Sequence, residues 1–300
     1  MLTSASAFVP SIGFGLVTAS ILALAAVGFT LQFGITNILN LAYGDLMTAS
    51  AYIGWVVNQH GGSIAESLLA GAAFGAVSSV LLNRLVYTPF LRRGTGLFGM
   101  VIVTLSVGVM VQNALLAIGG ATFFTYNFNV GATVHPLGFD LATSQLVIMA
   151  IAVGGMIVVQ TLLTQTRLGK AMRATAANRS LAQASGIATE RVVDAAWLIS
   201  GVLCGLAGVV LVLNTTAFQS TTGSEFLVVI IAAAMLGGVG RPSGAMVGAL
   251  VLGLVTEVSA AFVSPSYKEL FAFIVLVIVL LVRPTGIFSQ FAGGSRQVAA

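Results

Sequence analysis

Between Ser67 and Tyr87 the chain reads SLLAGAAFGAVSSVLLNRLVY, and between Gln145 and Gln165 it reads QLVIMAIAVGGMIVVQTLLTQ. Runs this long and this apolar constrain the fold more than any other feature of the sequence. A helix rises 1.5 Å per residue, so about 20 such residues cross the ~30 Å hydrocarbon core of a bilayer. Outer-membrane strands would be shorter and would alternate apolar and polar positions. With no water to satisfy stray backbone groups in that core, helices close their own hydrogen bonds. The pattern predicts an all-α, polytopic transmembrane bundle.

Composition agrees. The 300 residues are 58% hydrophobic and 7% charged, whereas a soluble domain carries about 25% charged residues. Thirty-five glycines suit helices that pack closely through small side chains in lipid. Apolar runs place spans at 13–33, 38–58, 64–84, 97–118, 144–164, 192–213, 224–240, 243–263 and 267–283. The runs at 224–240 and 267–283 are short, so the expectation is eight to nine spans in a single domain, 1–300, some of them interrupted. The starts of two runs, YGDLMTASAYIG from Tyr43 and SGAMVGALVLG from Ser243, hint at an internal repeat. The alternative is ordinary Gly/Ala-rich helix composition.

Orientation follows from the cations. Nine crossings place Arg84, Arg92, Arg93, Arg167, Lys170, Arg173, Arg179, Arg191, Arg241, Arg283 and Arg296 on one side, leaving Lys268 opposite. That cation-rich side is expected to be the cytoplasm, with the C-terminus inside and the N-terminus outside. No Lys or Arg precedes the first apolar run, so no secretory signal is read.

Polar groups at membrane depth are costly and point to function. In GITNILNLAYGD, Asn37 and Asn40 share a face if that stretch is helical, and Gly34 and Gly44 bracket a segment that could unwind. Asn37, Asn40, Tyr43, Gly44 and Asp45 are therefore candidates for a substrate path, or else for interhelical hydrogen bonding. In MLGGVGRPSGAMVGA, Gly237, Gly238 and Gly240 stop one helix and Pro242 suits the first turn of the next. The segment is either a tight hairpin or a discontinuous helix. Glu225 and Glu257 fall near span ends, where structural acids belong.

Chemistry of its own is not legible. Gly169-Lys170 is followed by Ala171, so no phosphate-binding loop exists, and no nucleophile–base set is spaced for catalysis. Cys204 is single, and His60 and His135 lie far apart, giving no metal-ligand spacing. Energy for any pumping would come from a partner or an ion gradient.

The segment TRLGKAMRATAANRSLAQASGIATERV, Thr166 to Val192, holds five of twelve cations. Ser180 with Gln183 three residues on reads as a capping box, and Gly186 as the residue just past a helix end. This predicts a short helix, Leu181 to Ser185. Thr189 and Glu190 are expected to cap the next span. The cations alone fit contact with anionic membrane lipids. A small capped helix bearing Ala182 and Ala184 also fits a groove in another protein.

Here the chain resembles the permease subunits of ABC importers, and among them the branched-chain amino acid permease family. TRLGKAMRATAANRSLAQASGI, NILNLAYGDLMTASAYIG, LGGVGRPSGAMVGALVLG and YKELFAFIVLVIVLLVRPTGIF occur in the expected order, and the resemblance covers about residues 15 to 290. It implies that segment 166–191 is a cytoplasmic coupling loop, with Arg173, Ser180, Leu181, Ala182, Gln183, Ala184 and Gly186 at the ATPase contact. It also implies a second permease, two ABC ATPase subunits that use ATP and Mg, and a periplasmic or lipid-anchored binding protein that the loop 119–143 helps receive. The setting would be a bacterial or archaeal inner membrane, with no cofactor, metal or nucleic acid bound by this chain. Tyr43 stands where the family often has His, which bears on the cargo, and Thr175-Ala176-Ala177 stands where wider coupling motifs read Glu-Ala-Ala. The same machinery could carry urea, short amides or another small solute. A stand-alone secondary transporter or channel would instead rest on Asp45.

Overall fold

The structure, a computed structural model, describes residues 2–128, 131, 133–134, 141–263 and 267–282. His135, Arg283 and Arg296 lie outside them. Helix α1 (Leu2–Thr36) and helix α9 (Thr189–Thr215) form the centre, with 78% of each apolar span buried. Helices α5 (Leu97–Gly119) and α6 (Thr143–Gln165), and the helical run Ile64–Arg92, are 22% buried by the same measure. These three turn Leu105, Ile157 and Leu81 outward, an arrangement that lipid tolerates and water would not.

The centre is held by close backbone approach. Lipid is as apolar as leucine, so helices associate through small residues that let their surfaces meet. On α3 (Ile64–Leu82), Gly75 abuts Gly201 and Gly205 of α9, and a β-carbon at Gly201 would press on Gly75 and Ser79. Helix α2 (Tyr43–Gln59) meets α10 (Thr222–Gly237) at Gly44 and Gly223, and Thr48 Oγ1 accepts from Gly223 N at 2.9 Å. Helix α11 (Pro242–Phe262) lies along α1, from Leu254 against Gly15 to the Gly240 turn against Gly34, and α12 (Lys268–Val282) packs on α10 and α11.

Among the described residues six helices are long and apolar enough to cross a membrane, and Thr222–Gly237 and Leu270–Val279 are shorter apolar helices. Most predicted spans therefore stand, and two need correction. The run at 38–58 is helical only from Tyr43; Asn37 to Ala42 are unwound. The run at 64–84 continues to Arg92 through a π-helical turn, Asn83–Tyr87, and a short helix α4 (Thr88–Arg92). Pro89 lies just beyond that turn and cannot donate the usual bond four residues back, so a wider turn absorbs the missing bond.

Among the described residues, Arg84, Arg92, Arg173, Arg179 and Arg241, five of the cations predicted to share a side, lie at one end. Arg84 pairs with Asp194 at 2.7 Å and Arg92 with Glu190 at 3.3 Å, and Arg173 and Arg241 line one cleft there with Gly34. Both arginines of those pairs are well exposed, so solvent screens the pairs and they add little to stability.

At the opposite end, short strands tie loops together. Strand β1 (Phe124–Thr125) pairs antiparallel with β4 (Ala217–Phe218), and β2 (Thr133–Val134) with β3 (Leu141–Ala142). Trp55 Nε1 donates to Thr125 O at 3.0 Å, Asn58 brackets Asn127, and Tyr52, Trp55, Phe124 and Phe218 stack within 5.4 Å ring to ring. The Tyr126 hydroxyl donates to Ala51 O at 2.6 Å, and burial raises its pKa above that of a free phenol.

Candidate functional site: the buried break and the basic loop

Asn37 ends α1 with φ at +53°, a left-handed conformation that asparagine tolerates. Its side chain is exposed, and the predicted shared helix face with Asn40 does not exist because the stretch is not helical. Asn40 instead is buried to 1%. Its Nδ2 donates to Gln32 Oε1 at 3.4 Å and its Oδ1 accepts from the Tyr87 hydroxyl at 3.3 Å. Ser200 of α9 donates to the same Gln32 oxygen at 3.3 Å, and Trp197 stacks on Tyr87 at 5.1 Å. The Thr104 hydroxyl of α5 donates to Leu39 O at 2.9 Å. Thus the freed backbone and its amide side chain are satisfied by three different helical elements, α1, the π turn and α5, with α9 bonded to Gln32 behind them, the condition under which irregular backbone survives at membrane depth.

Tyr43 opens α2 near the middle of α9, where Cys204 Sγ donates to its carbonyl at 3.4 Å. Its ring meets Phe29 edge-on at 5.7 Å. Asp45 is 5% exposed and lies against Gly108 of α5, with Oδ1 unpaired. Gly237 packs on Gly244, and Gly238 caps α10 with φ +100°. The segment Gly238 to Arg241 is a tight hairpin, with Pro242 in the first turn of α11. The structure brings Asn40, Tyr43, Gly44 and Asp45 into one interior region; Asn37 stands outside it, and the Gly237–Gly238 turn is separate.

Gln32, Tyr87, Trp197 and Ser200 were not among the predicted site residues. Gln32 and Ser200 carried a readable signal, being polar side chains inside long apolar runs. Tyr87 did not, since only the π turn aims it at Asn40.

The basic loop forms two helices. In α7 (Arg167–Ala177) Thr166 caps the start by accepting from Gly169 N at 3.0 Å, and Arg173 donates to Leu163 O, an unpaired carbonyl at the end of α6. The second helix, α8, runs Arg179–Ala184. Its cap is Asn178, whose side chain accepts from Leu181 N at 3.0 Å; Ser180 is not the cap and donates its hydroxyl to Asn178 Oδ1 at 2.8 Å. The residue with extended backbone takes the capping role, and that is Asn178 at φ −158°. Gly186 ends the helix at φ +83°, with Gly186 N bonded to Gln183 O and Ile187 N to Ala182 O, the paired bonds of a Schellman motif. Ala182 is buried, whereas Leu181 is 64% exposed and Gln183 and Ala184 point outward. Thr189 does not cap α9: it lies inside the first turn with its hydroxyl buried and unpaired, leaving Glu190 as the acid there.

A helical bundle with a buried unwound stretch and a small projecting helix between α7 and α9 is the geometry against which known proteins can be set. The family described as "Branched-chain amino acid transport system / permease component" matches residues 11–280. This chain belongs to that family. Among individual relatives, the permease is 28% identical over 297 residues to the high-affinity branched-chain amino acid transport system permease protein LivH of Salmonella typhimurium, covering 92% of this chain and 94% of the relative. BraD of Pseudomonas aeruginosa, of the same description, is 29% identical over 291 residues, with 92% and 94% covered. The ribose import permease protein RbsC of Escherichia coli is 28% identical over 285 residues, with 88% and 82% covered. In three dimensions the permease is similar to a chain of PsaBC from Streptococcus pneumoniae in complex with Fab, at TM-score 0.51 and 15% identity over 92% and 93% of the two chains; that likeness speaks to the fold alone.

Proposed function

We propose that this chain is the membrane subunit of an ATP-driven importer for branched-chain or other hydrophobic amino acids. In this reading it forms the translocation path with a second permease in a bacterial or archaeal inner membrane, and segment 166–191 and the C-terminus face the cytoplasm. A periplasmic or lipid-anchored binding protein delivers cargo to the loop 119–143. Two separate ATPase subunits bind ATP and Mg and do the hydrolysis. The observation that carries this is α8, a six-residue helix capped at both ends that presents Leu181 outward and Ala182 inward. Such a rigid projection, seated against the start of α9, can transmit movement of a partner to the bundle. The irregular stretches Asn37–Ala42 and Gly238–Arg241, with Tyr43, Gly44, Asp45 and Gly237 beside them, are the places in this scheme where the wall of the path moves.

The deciding experiment is uptake into proteoliposomes holding the assembled complex, with ATP inside and binding protein outside. L-leucine uptake should require both, and Leu181→Asp should abolish uptake and ATPase capture while the permease still inserts. Transport by the isolated chain without ATP would sink the reading. The ribose permease is as similar in identity as LivH, so the cargo itself is tested in the same assay: ribose uptake with leucine ignored would keep the machine and replace the solute.

A further inference from the structure

The end of the bundle opposite the basic loops holds a pocket of about 270 Å³, walled by α1, α9, α10, α11 and α12. Three charged side chains line it: Glu225, Glu257 and Lys268. Lys268 is the cation that the sequence leaves alone on this side. Its Nζ lies 2.8 Å from both Glu257 carboxylate oxygens, and Thr18 Oγ1 donates to Glu257 Oε1 at 2.9 Å. Glu257 is 14% exposed, so the carboxylate half of the pair is largely desolvated, and apolar side chains would stabilise such a position as well or better. An ammonium has three donors, and Lys268, 38% exposed, keeps capacity toward the pocket. Glu225 comes from the facing helix, exposed, its Oε1 held by the Thr221 hydroxyl at 2.9 Å. Between the charges the wall is apolar: Ile21, Leu211, Phe226 and Val229.

A mouth that offers one ammonium, one free-standing carboxylate and an aliphatic wall matches a molecule carrying the opposite set. We infer that this pocket is an entry subsite for a zwitterionic α-amino acid with an aliphatic side chain. The ligand carboxylate takes the remaining donor of Lys268, its ammonium meets Glu225, and its side chain lies on Ile21, Leu211, Phe226 and Val229. The inference rests on the amino-acid importer reading above and adds a binding step within this chain.

The test uses the assembled transporter in phosphatidylcholine nanodiscs carrying Asn214→Cys at the pocket wall; the native Cys204 is buried. Labelling by an impermeant maleimide should slow about tenfold at saturating L-leucine. L-leucinamide, which lacks the carboxylate, and 4-methylpentanoate, which lacks the ammonium, should not slow it. Glu225→Gln should remove protection without loss of folding, since that side chain is exposed. The double change Glu257→Gln with Lys268→Met nearly keeps volume while removing both charges together, and should also remove it. Absence of slowing by leucine, or equal slowing by all three compounds, overturns the inference. So does slow labelling without leucine that appears only when phosphatidylethanolamine is added, because a lipid headgroup would then occupy the pocket. Leucine uptake by the same preparation separates the two levels. Uptake without protection overturns the pocket alone; neither uptake nor protection overturns both.

Discussion

Two interruptions of helix, six residues at Asn37–Ala42 and four at Gly238–Arg241, are built by different means. The hairpin is local. Gly238 at φ +100° and Gly240 at φ +83° turn the chain, and Gly238 N and Arg241 N close bonds to Met235 O and Gly238 O. The break between α1 and α2 is not local at all. Its polar groups are satisfied by Gln32, Tyr87 and Thr104, drawn from α1, the π turn and α5. A turn of the first kind depends on what glycine alone can do; a break of the second kind depends on the whole bundle around it. Only the second can register a displacement of α9, whose Trp197 and Ser200 touch the same network.

The largest effect on that contrast should come from Asn40→Leu. The change is close in volume but removes one donor and one acceptor from a site that is 1% exposed, and it strands the Tyr87 hydroxyl. Loss of about 2 kcal/mol is expected, read as a lower unfolding midpoint of the purified permease in detergent. If the break were held locally, the midpoint would stay put. Gly238→Ala should cost somewhat less, about 1–2 kcal/mol, because an L side chain is forced to positive φ. Its mark is locality: a paired variant Asn40→Leu/Gly238→Ala should be additive to within about 0.5 kcal/mol. Strong coupling between the two would mean that hairpin and break form one unit.

How far the sequence reveals these features depends on which physical property encodes them. Hydropathy and flanking glycines place α5 at Leu97–Gly119 and α6 at Thr143–Gln165 within a residue or two of the runs 97–118 and 144–164. The start of α2 escapes for the same reason that those succeed. Ile38, Leu39 and Leu41 are apolar whether the backbone is coiled or extended, so a side-chain scale cannot see the unwinding. The basic loop shows a finer limit. Asn178 and Ser180 both have capping chemistry, and the choice between them is made by the extended backbone that leaves α7 at Asn178. Gly186 was legible because few other residues accept φ +83° at a helix end. The Asn40 network was half legible: Asn40 and Gln32 are conspicuous in lipid, while the partner Tyr87 depends on a π turn set by Pro89.

The smallest effect isolates the conformational share of the break from its hydrogen-bonding share. Asn37 has the positive φ of a turn residue, yet its side chain is exposed and belongs to no part of the Asn40 network. Asn37→Gly keeps that conformation accessible and gives the unfolded chain more freedom, so stability should move by no more than about 0.5 kcal/mol. Asn37→Val places a β-branched residue where its β-carbon meets the following carbonyl, at a cost of about 1–2 kcal/mol. The two variants differ only in backbone preference, and neither touches Gln32, Tyr87 or Thr104. A Val variant as stable as the Gly variant would show that the chain leaves α1 by some other conformation. A Gly variant that loses as much as Asn40→Leu would show that the Asn37 side chain, and not only the interior network, holds the break in place.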